Sequence, residues 1–121
     1  MSLTPDQLSA IDSTKEVHIR TTAGGRTVGT IIWVVVADGD VYVRSVQAED
    51  GVWYQRARSN PRVALEVGGE VIDFEAVHIT DESTIESVSE ALRAKYRPGG
   101  SLDRMTRQDV LGHTLRLDPL A

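Results

Sequence analysis

The chain has 121 residues, is 40% hydrophobic and 26% charged, and carries a formal net charge of -5, which suits one globular domain over residues 1–121. It has no cysteine, so disulfides and thiolate metal sites are excluded. The acidic balance argues against non-specific nucleic-acid binding, which needs a net basic face, but leaves room for a small anion at a local patch. The longest apolar run, TIIWVVVA, has the length of a strand, so no membrane span is expected. MSLTPDQLSA lacks the charged-then-apolar layout of a signal peptide, and a cytoplasmic protein is expected.

The first predicted element is a short helix. Thr4 suits its cap, Pro5 its first turn, and Gln7 completes a capping-box spacing with Thr4. The period then changes to two, with Val17, Ile19 and Thr21 alternating with His18 and Arg20, as in a half-buried strand. A turn at Gly24-Gly25 places Ile19 opposite Thr30 and Val17 opposite Ile32. The next strand is predicted over Thr30 to Ala37, ending in the hairpin turn Asp38-Gly39. Centred there, Val36 faces Val41, Val34 faces Val43, Ile32 faces Ser45, and Trp33 faces Arg44.

After the strand VYVRSV the segment WYQRARS can form barely two turns of helix, ended by Asn60-Pro61. RVALEV and EVIDFEAVHI form a second hairpin about Gly68-Gly69. Its inner face is Val63, Leu65, Val67, Ile72, Phe74 and Ala76, and Arg62 lies opposite Glu75. A longer helix is predicted from a Ser83-x-x-Glu86 capping box to Arg97, stopped by Pro98-Gly99-Gly100, with Ile85, Val88, Leu92 and Tyr96 as its apolar stripe. A last short strand covers Thr114 to Leu117. The pattern gives an α+β protein: an antiparallel barrel of about six strands with flanking helices.

One region departs from the acidic average. Arg44, Arg56, Arg58 and Arg62 cluster around the pair Trp53-Tyr54. An arginine and a hydroxyl beside a loop, Arg44-Ser45, suit a phosphate, though on a strand the two point to opposite faces. From spacing alone Arg44 better suits a surface or interface cation–π pair with Trp33. Arg26 in a glycine-flanked turn can add charge to exposed N–H groups, or belong to a plain hairpin. Trp53 and Tyr54 can stack on a planar ring, but on sequence alone better suit an interface or the core. His18, His78 and His113 show no ligand spacing, and no metal site is expected. No nucleophile elbow or phosphate loop is present, and no catalytic residue stands out.

The stretch GGRTVGTIIWVVVADGDVYVRSVQAEDGVWYQRARSNPRVALEVGG resembles the central half of the split-barrel flavin-binding superfamily, the pyridoxamine-phosphate-oxidase-like and deazaflavin-dependent nitroreductase-like proteins. LRAKYRPGGSLDRMT and TLRLDP resemble a smaller, uncharacterised bacterial branch of it. Together these likenesses run from Val17 to Pro119. The resemblance implies a split β-barrel, a homodimer, and FMN or a deazaflavin held in a groove between subunits. It implies Arg26, Arg44, Ser45, Trp53 and Tyr54 as the residues that hold the cofactor. The function it implies is a flavin- or deazaflavin-dependent oxidoreductase acting on a small molecule. Thr30, however, stands where many relatives carry a further basic residue, and Glu49 and Asp50 follow Ser45. These departures suit an alternative, a cofactor-free dimeric binding or accessory protein on the same barrel. A homodimer is expected on physical grounds too, because Trp33, Val35 and Tyr42 would form an apolar patch on a lone barrel.

Overall fold

A computed structural model describes residues 3–120; the ends of the expected 1–121 domain lie outside the described residues. Helix α1 (Pro5–Ser13) starts as its cap predicts: Thr4 Oγ1 accepts from the Gln7 N–H at 3.1 Å, and the Gln7 side chain accepts from the Thr4 N–H at 3.0 Å. Seven strands follow, β1 (Glu16–Ala23), β2 (Arg26–Trp33), β3 (Val35–Ala37), β4 (Asp40–Arg44), β5 (Arg62–Val67), β6 (Glu70–His78) and β7 (Thr114–Pro119). Among them lie α2 (Val52–Ser59), α3 (Glu82–Lys95), α4 (Gly100–Met105) and α5 (Gln108–Leu111). No helix among the described residues is long and apolar enough to cross a membrane.

All pairings are antiparallel, and the strand order is β2-β1-β5-β6-β7-β4-β3. The two end strands of that order, β2 and β3, are consecutive in the chain and separated only by Val34. The sheet must therefore curl back on itself, which makes it a barrel with a split between β2 and β4. Both glycine hairpins keep the predicted register: Ile19 pairs with Thr30, Val17 with Ile32, and Arg62 with Glu75.

The strand expected over Thr30 to Ala37 is broken. Val36 does pair with Val41, but Trp33 pairs with Glu16 of β1, and the expected pairs Trp33–Arg44, Ile32–Ser45 and Val34–Val43 do not form. The chain bends at Val34 so that its two halves serve opposite ends of one sheet. Val34 is itself buried, and its backbone groups are held by side chains: its N–H donates to Tyr96 Oη at 3.2 Å, and its C=O accepts from Lys95 Nζ at 2.7 Å. A buried backbone group outside a ladder needs such a partner.

The barrel interior is filled by inward residues of the strands, among them Ile19, Val43, Leu65, Phe74 and Leu117, and is plugged by Ile11 of α1 and Trp53, Tyr54 and Ala57 of α2. A second core lies outside it. Val35 and Tyr42 are covered by Val88, Leu92 and Tyr96, with Leu102 and Met105 of α4. Trp33 and Val35 with Tyr42 thus form no free patch: the chain's own α3 and α4 cover it, and Trp33 stacks on Tyr96 at 3.8 Å, nearly parallel at 3°. The apolar face that suggested a dimer is consumed within one subunit.

The start of α3 also differs from expectation. Its cap is Asp81, whose carboxylate accepts from the Thr84 N–H at 3.0 Å and from the Thr84 hydroxyl; the hydroxyl bond first, then the N–H, holds the Asp81 pKa below its usual value. A carboxylate at this position also meets the positive end of the helix dipole, which a serine does not.

Candidate functional site

The split between β2 and β4 opens a groove of about 340 Å³. One wall is the outer part of β2, with Thr30, Ile31 and Trp33. The other is built by Val46 and Gln47 after β4, by Trp53, and by Arg104 of α4. Ile31 lines the groove and is 58% exposed. The volume lies in the range of small-ligand sites, which combine apolar walls with few polar groups.

Arg44 borders this groove but is 3% exposed. Its Nε donates to Thr114 Oγ1 at 2.8 Å, one terminal nitrogen to Ser89 Oγ at 2.9 Å and the Met105 carbonyl at 3.2 Å, and the other to the Ile85 carbonyl at 3.1 Å. It thereby joins β4 to β7, α3 and α4. All of these acceptors are neutral, and no ion pair among the described residues includes it. Burial lowers its pKa to about 10, aided by repulsion from Arg93 and opposed by Glu86. The guanidinium still carries its charge at neutral pH, so a buried cation bonded only to neutral groups lies at the groove. It makes no pair with Trp33, which belongs to another strand register.

The other predicted residues fall in different places. Ser45 is fully buried: its hydroxyl donates to the Ala48 carbonyl at 2.8 Å and its N–H to the His113 carbonyl at 3.1 Å. Gly51 approaches that hydroxyl so closely that a Cβ there would lie 2.3 Å from it. Ser45 therefore winds the loop rather than facing the groove. Trp53 lines the groove from α2. Tyr54 turns inward, edge-on to His113 at 5.3 Å, and its hydroxyl accepts from Arg58 at 3.0 Å. Arg26 is exposed at the β1–β2 hairpin, paired with Ala23, and does not line the groove. The local basic cluster is thus dispersed, with Arg44 inside and Arg58 and Arg62 exposed.

Glu49 is turned away from the groove wall: its carboxylate pairs with His113 Nε2 at 3.2 Å. Asp50 borders a neighbouring depression with Arg104 and Arg107. Sequence reasoning missed Gln47 and Arg104. Arg104 sits on a six-residue helix, too short to show a period, directly after the Pro-Gly-Gly stop signal.

Behind the groove, Lys95 and Tyr96 carry opposite shifts. Burial lowers the Lys95 pKa to about 8 and raises that of Tyr96 to about 12. The unfolded lysine keeps its proton up to 10.5, whereas the folded one releases it near 8, so between these values the unfolded state holds more protons. Stability therefore rises with pH across that window. Because the amine is half exposed, solvent screening reduces the effect to about 1 kcal/mol. Thermal melts between about pH 8 and pH 10 should show this rise, and Lys95→Met should flatten it. An unchanged slope in the variant would assign the rise elsewhere.

The curled antiparallel barrel with its flanking helices is the fold of the pyridoxamine-phosphate-oxidase-like split-barrel proteins. A protein assigned to the pyridoxamine 5'-phosphate oxidases, from Listeria innocua, superposes with a TM-score of 0.71 at 16% identity, over 96% of this chain and 92% of that one. The FAD binding protein from Mycobacterium smegmatis gives 0.69 at 19% identity, over 98% and 92%. An F420-H2 dependent reductase gives 0.64 at 18% identity, over 86% and 94%. Within this class the chain belongs to the family described as an uncharacterized protein conserved in bacteria (DUF2255), whose model matches residues 7–117. No protein of curated function matches the sequence.

Proposed function

We propose that the groove at the split binds a flavin-type cofactor, FMN or a deazaflavin, and that the protein is a cytoplasmic oxidoreductase acting on a small molecule. The observation that carries this reading is Arg44, a buried cation with no ion-pair partner among the described residues, beside a groove walled by Ile31, Trp33 and Trp53. Such a site suits a flat ring system with an anionic end. Arg104, at the solvent side, would meet the anionic end with Arg44 behind it, and the aromatic and aliphatic walls would hold the ring and exclude water. The bound flavin would supply two-electron transfer, which fits a site with no acid–base constellation of its own. Relatives of the same fold that are described as binding FAD or depending on F420-H2 support this reading.

Titration of the protein with FMN and with a deazaflavin, followed by tryptophan quenching, tests it. Saturable binding is expected, weakened about tenfold or more by Arg104→Ala, since a charge-assisted contact contributes roughly 1.5–3 kcal/mol. No saturation with either compound at high micromolar concentration would overturn the reading.

The homodimer belongs to the same proposal, on changed grounds. Ile31 and Val46 are exposed apolar residues lining the split, and β2 has no strand on its outer side among the described residues. A second copy across this face would cover both features and deepen the groove. Light scattering should give a dimer for the natural chain and a monomer for Ile31→Glu. A natural chain that stays monomeric at micromolar concentration would refute it.

A cofactor-free accessory protein is the second reading. It is favoured by the neutral acceptors that already occupy the Arg44 guanidinium, and by Thr30 and Glu16 on the groove wall where further cations would help an anion. Failure of both titrations would favour it.

A further inference from the structure

The chain has only two lysines, Lys15 and Lys95, and they meet around one aromatic ring. Their amines lie 5.5 Å and 5.6 Å from the Tyr96 ring centroid. Lys95, the last residue of α3, folds back so that Nζ donates to the Val34 carbonyl at 2.7 Å and to the Ile11 carbonyl at 3.2 Å. No ion pair among the described residues includes it. It also borders a surface depression of about 270 Å³ whose other walls are Asp12, Val35, Val36, Ala91 and Ala94. We propose that Lys95 is a covalent modification site that reacts with small acyl donors of the acyl-phosphate class.

The chemistry follows from counting donors. A neutral amine has two N–H groups and one lone pair. The Val34 and Ile11 carbonyls take both N–H groups, which leaves the lone pair over, on a residue that borders the depression. An ammonium placed against two neutral carbonyls is poorly compensated, and burial accordingly lowers the Lys95 pKa to about 8. The charged groups facing it are Asp12 from α1, which favours the proton, and Lys15 from the following turn, which opposes it.

In the reaction the lone pair attacks the acyl carbon and a C–N bond forms. The bond from carbon to the phosphate oxygen breaks, phosphate leaves with the electron pair, and the displaced amine proton passes to solvent. The resulting amide has a single N–H and can serve only one of the two carbonyls. Acylation therefore takes the Lys95 donor from either the Ile11 carbonyl at the end of α1 or the Val34 carbonyl, which then keeps only the Tyr96 hydroxyl.

The test uses the intact folded protein, acetyl phosphate as donor, and peptide mass spectrometry, with the same chain in urea as reference. At about pH 8 roughly half of the Lys95 amine is neutral when folded, against well under a hundredth at the unfolded value of 10.5. Allowing for half-burial, acetylation of Lys95 should be about tenfold faster in the folded chain than in urea. It should outpace Lys15 and level off above about pH 8. Asp12→Asn should speed the reaction at about pH 7, and the acetylated protein should melt at a lower temperature. A folded Lys95 that reacts more slowly than in urea, or a rate that climbs without a break to about pH 10, would overturn the proposal.

Discussion

Arg44→Ala is expected to destabilise the protein by about 3–5 kcal/mol, because it orphans four neutral acceptors at about 1–3 kcal/mol each, less the relief of removing a desolvated cation. Its guanidinium holds Thr114 of β7, Ser89 and the Ile85 carbonyl of α3, and the Met105 carbonyl of α4. Alanine would leave those acceptors, which tie three elements to β4, without their common donor. Thermal melts should show a drop of roughly 10–20 °C for a chain of this length. Arg44→Lys should recover little, because an ammonium is a point charge and cannot span acceptors on three elements. A loss below about 1 kcal/mol would mean that these bonds hold nothing together. This prediction also decides how ligand experiments are read. Weak cofactor binding by Arg44→Ala would report a damaged fold as much as a missing charge, whereas Arg104 is exposed and separates the two.

Tyr96 should show a two-step response. Tyr96→Phe keeps the ring stacked on Trp33 but removes the hydroxyl that donates to the Lys15 carbonyl at 2.6 Å and accepts from the Val34 N–H at 3.2 Å. The orphaned groups should cost about 1–3 kcal/mol. Tyr96→Ala also removes the ring and leaves a cavity beside Trp33, for about 3–5 kcal/mol in all. Near-ultraviolet dichroism should change strongly only in the alanine variant, because only there does Trp33 lose its stacking partner. Equal losses in the two variants would mean that the ring contributes nothing beyond its hydroxyl. Trp33 lines the groove, so the alanine variant should also weaken any ligand that packs on that wall.

Local chemistry could be read directly from the residues. The Thr4–Gln7 box, the Gly24-Gly25 and Gly68-Gly69 hairpins with their registers, and the inward set Val63, Leu65, Val67, Ile72 and Phe74 all follow from interactions between chain neighbours or across a two-residue turn. In such elements a residue's partner is fixed by spacing, and the alternation of burial then fixes the face. The resemblance of the middle of the chain to split-barrel proteins rests on the same local features, since turns and strand ends are what the motif consists of.

Tertiary structure alone decided where the chain bends and what each cation does. TIIWVVVA reads as one strand because every residue in it suits a sheet; the bend at Val34 exists because β1 and β4 compete for its two halves. Tyr96 and Lys95, more than sixty residues away, then satisfy the backbone groups left over. The same holds at the site. Arg44 and Arg104 differ little as sequence, yet one is enclosed by three other elements and the other faces solvent, because burial depends on which distant segments fold over a residue. The sequence determined the hairpins, the core faces and the class of barrel. Only the closed chain decided that α3 and α4 cover the patch that would have called for a partner, and that the groove opens along β2, where a strand pair had to be given up for the sheet to close.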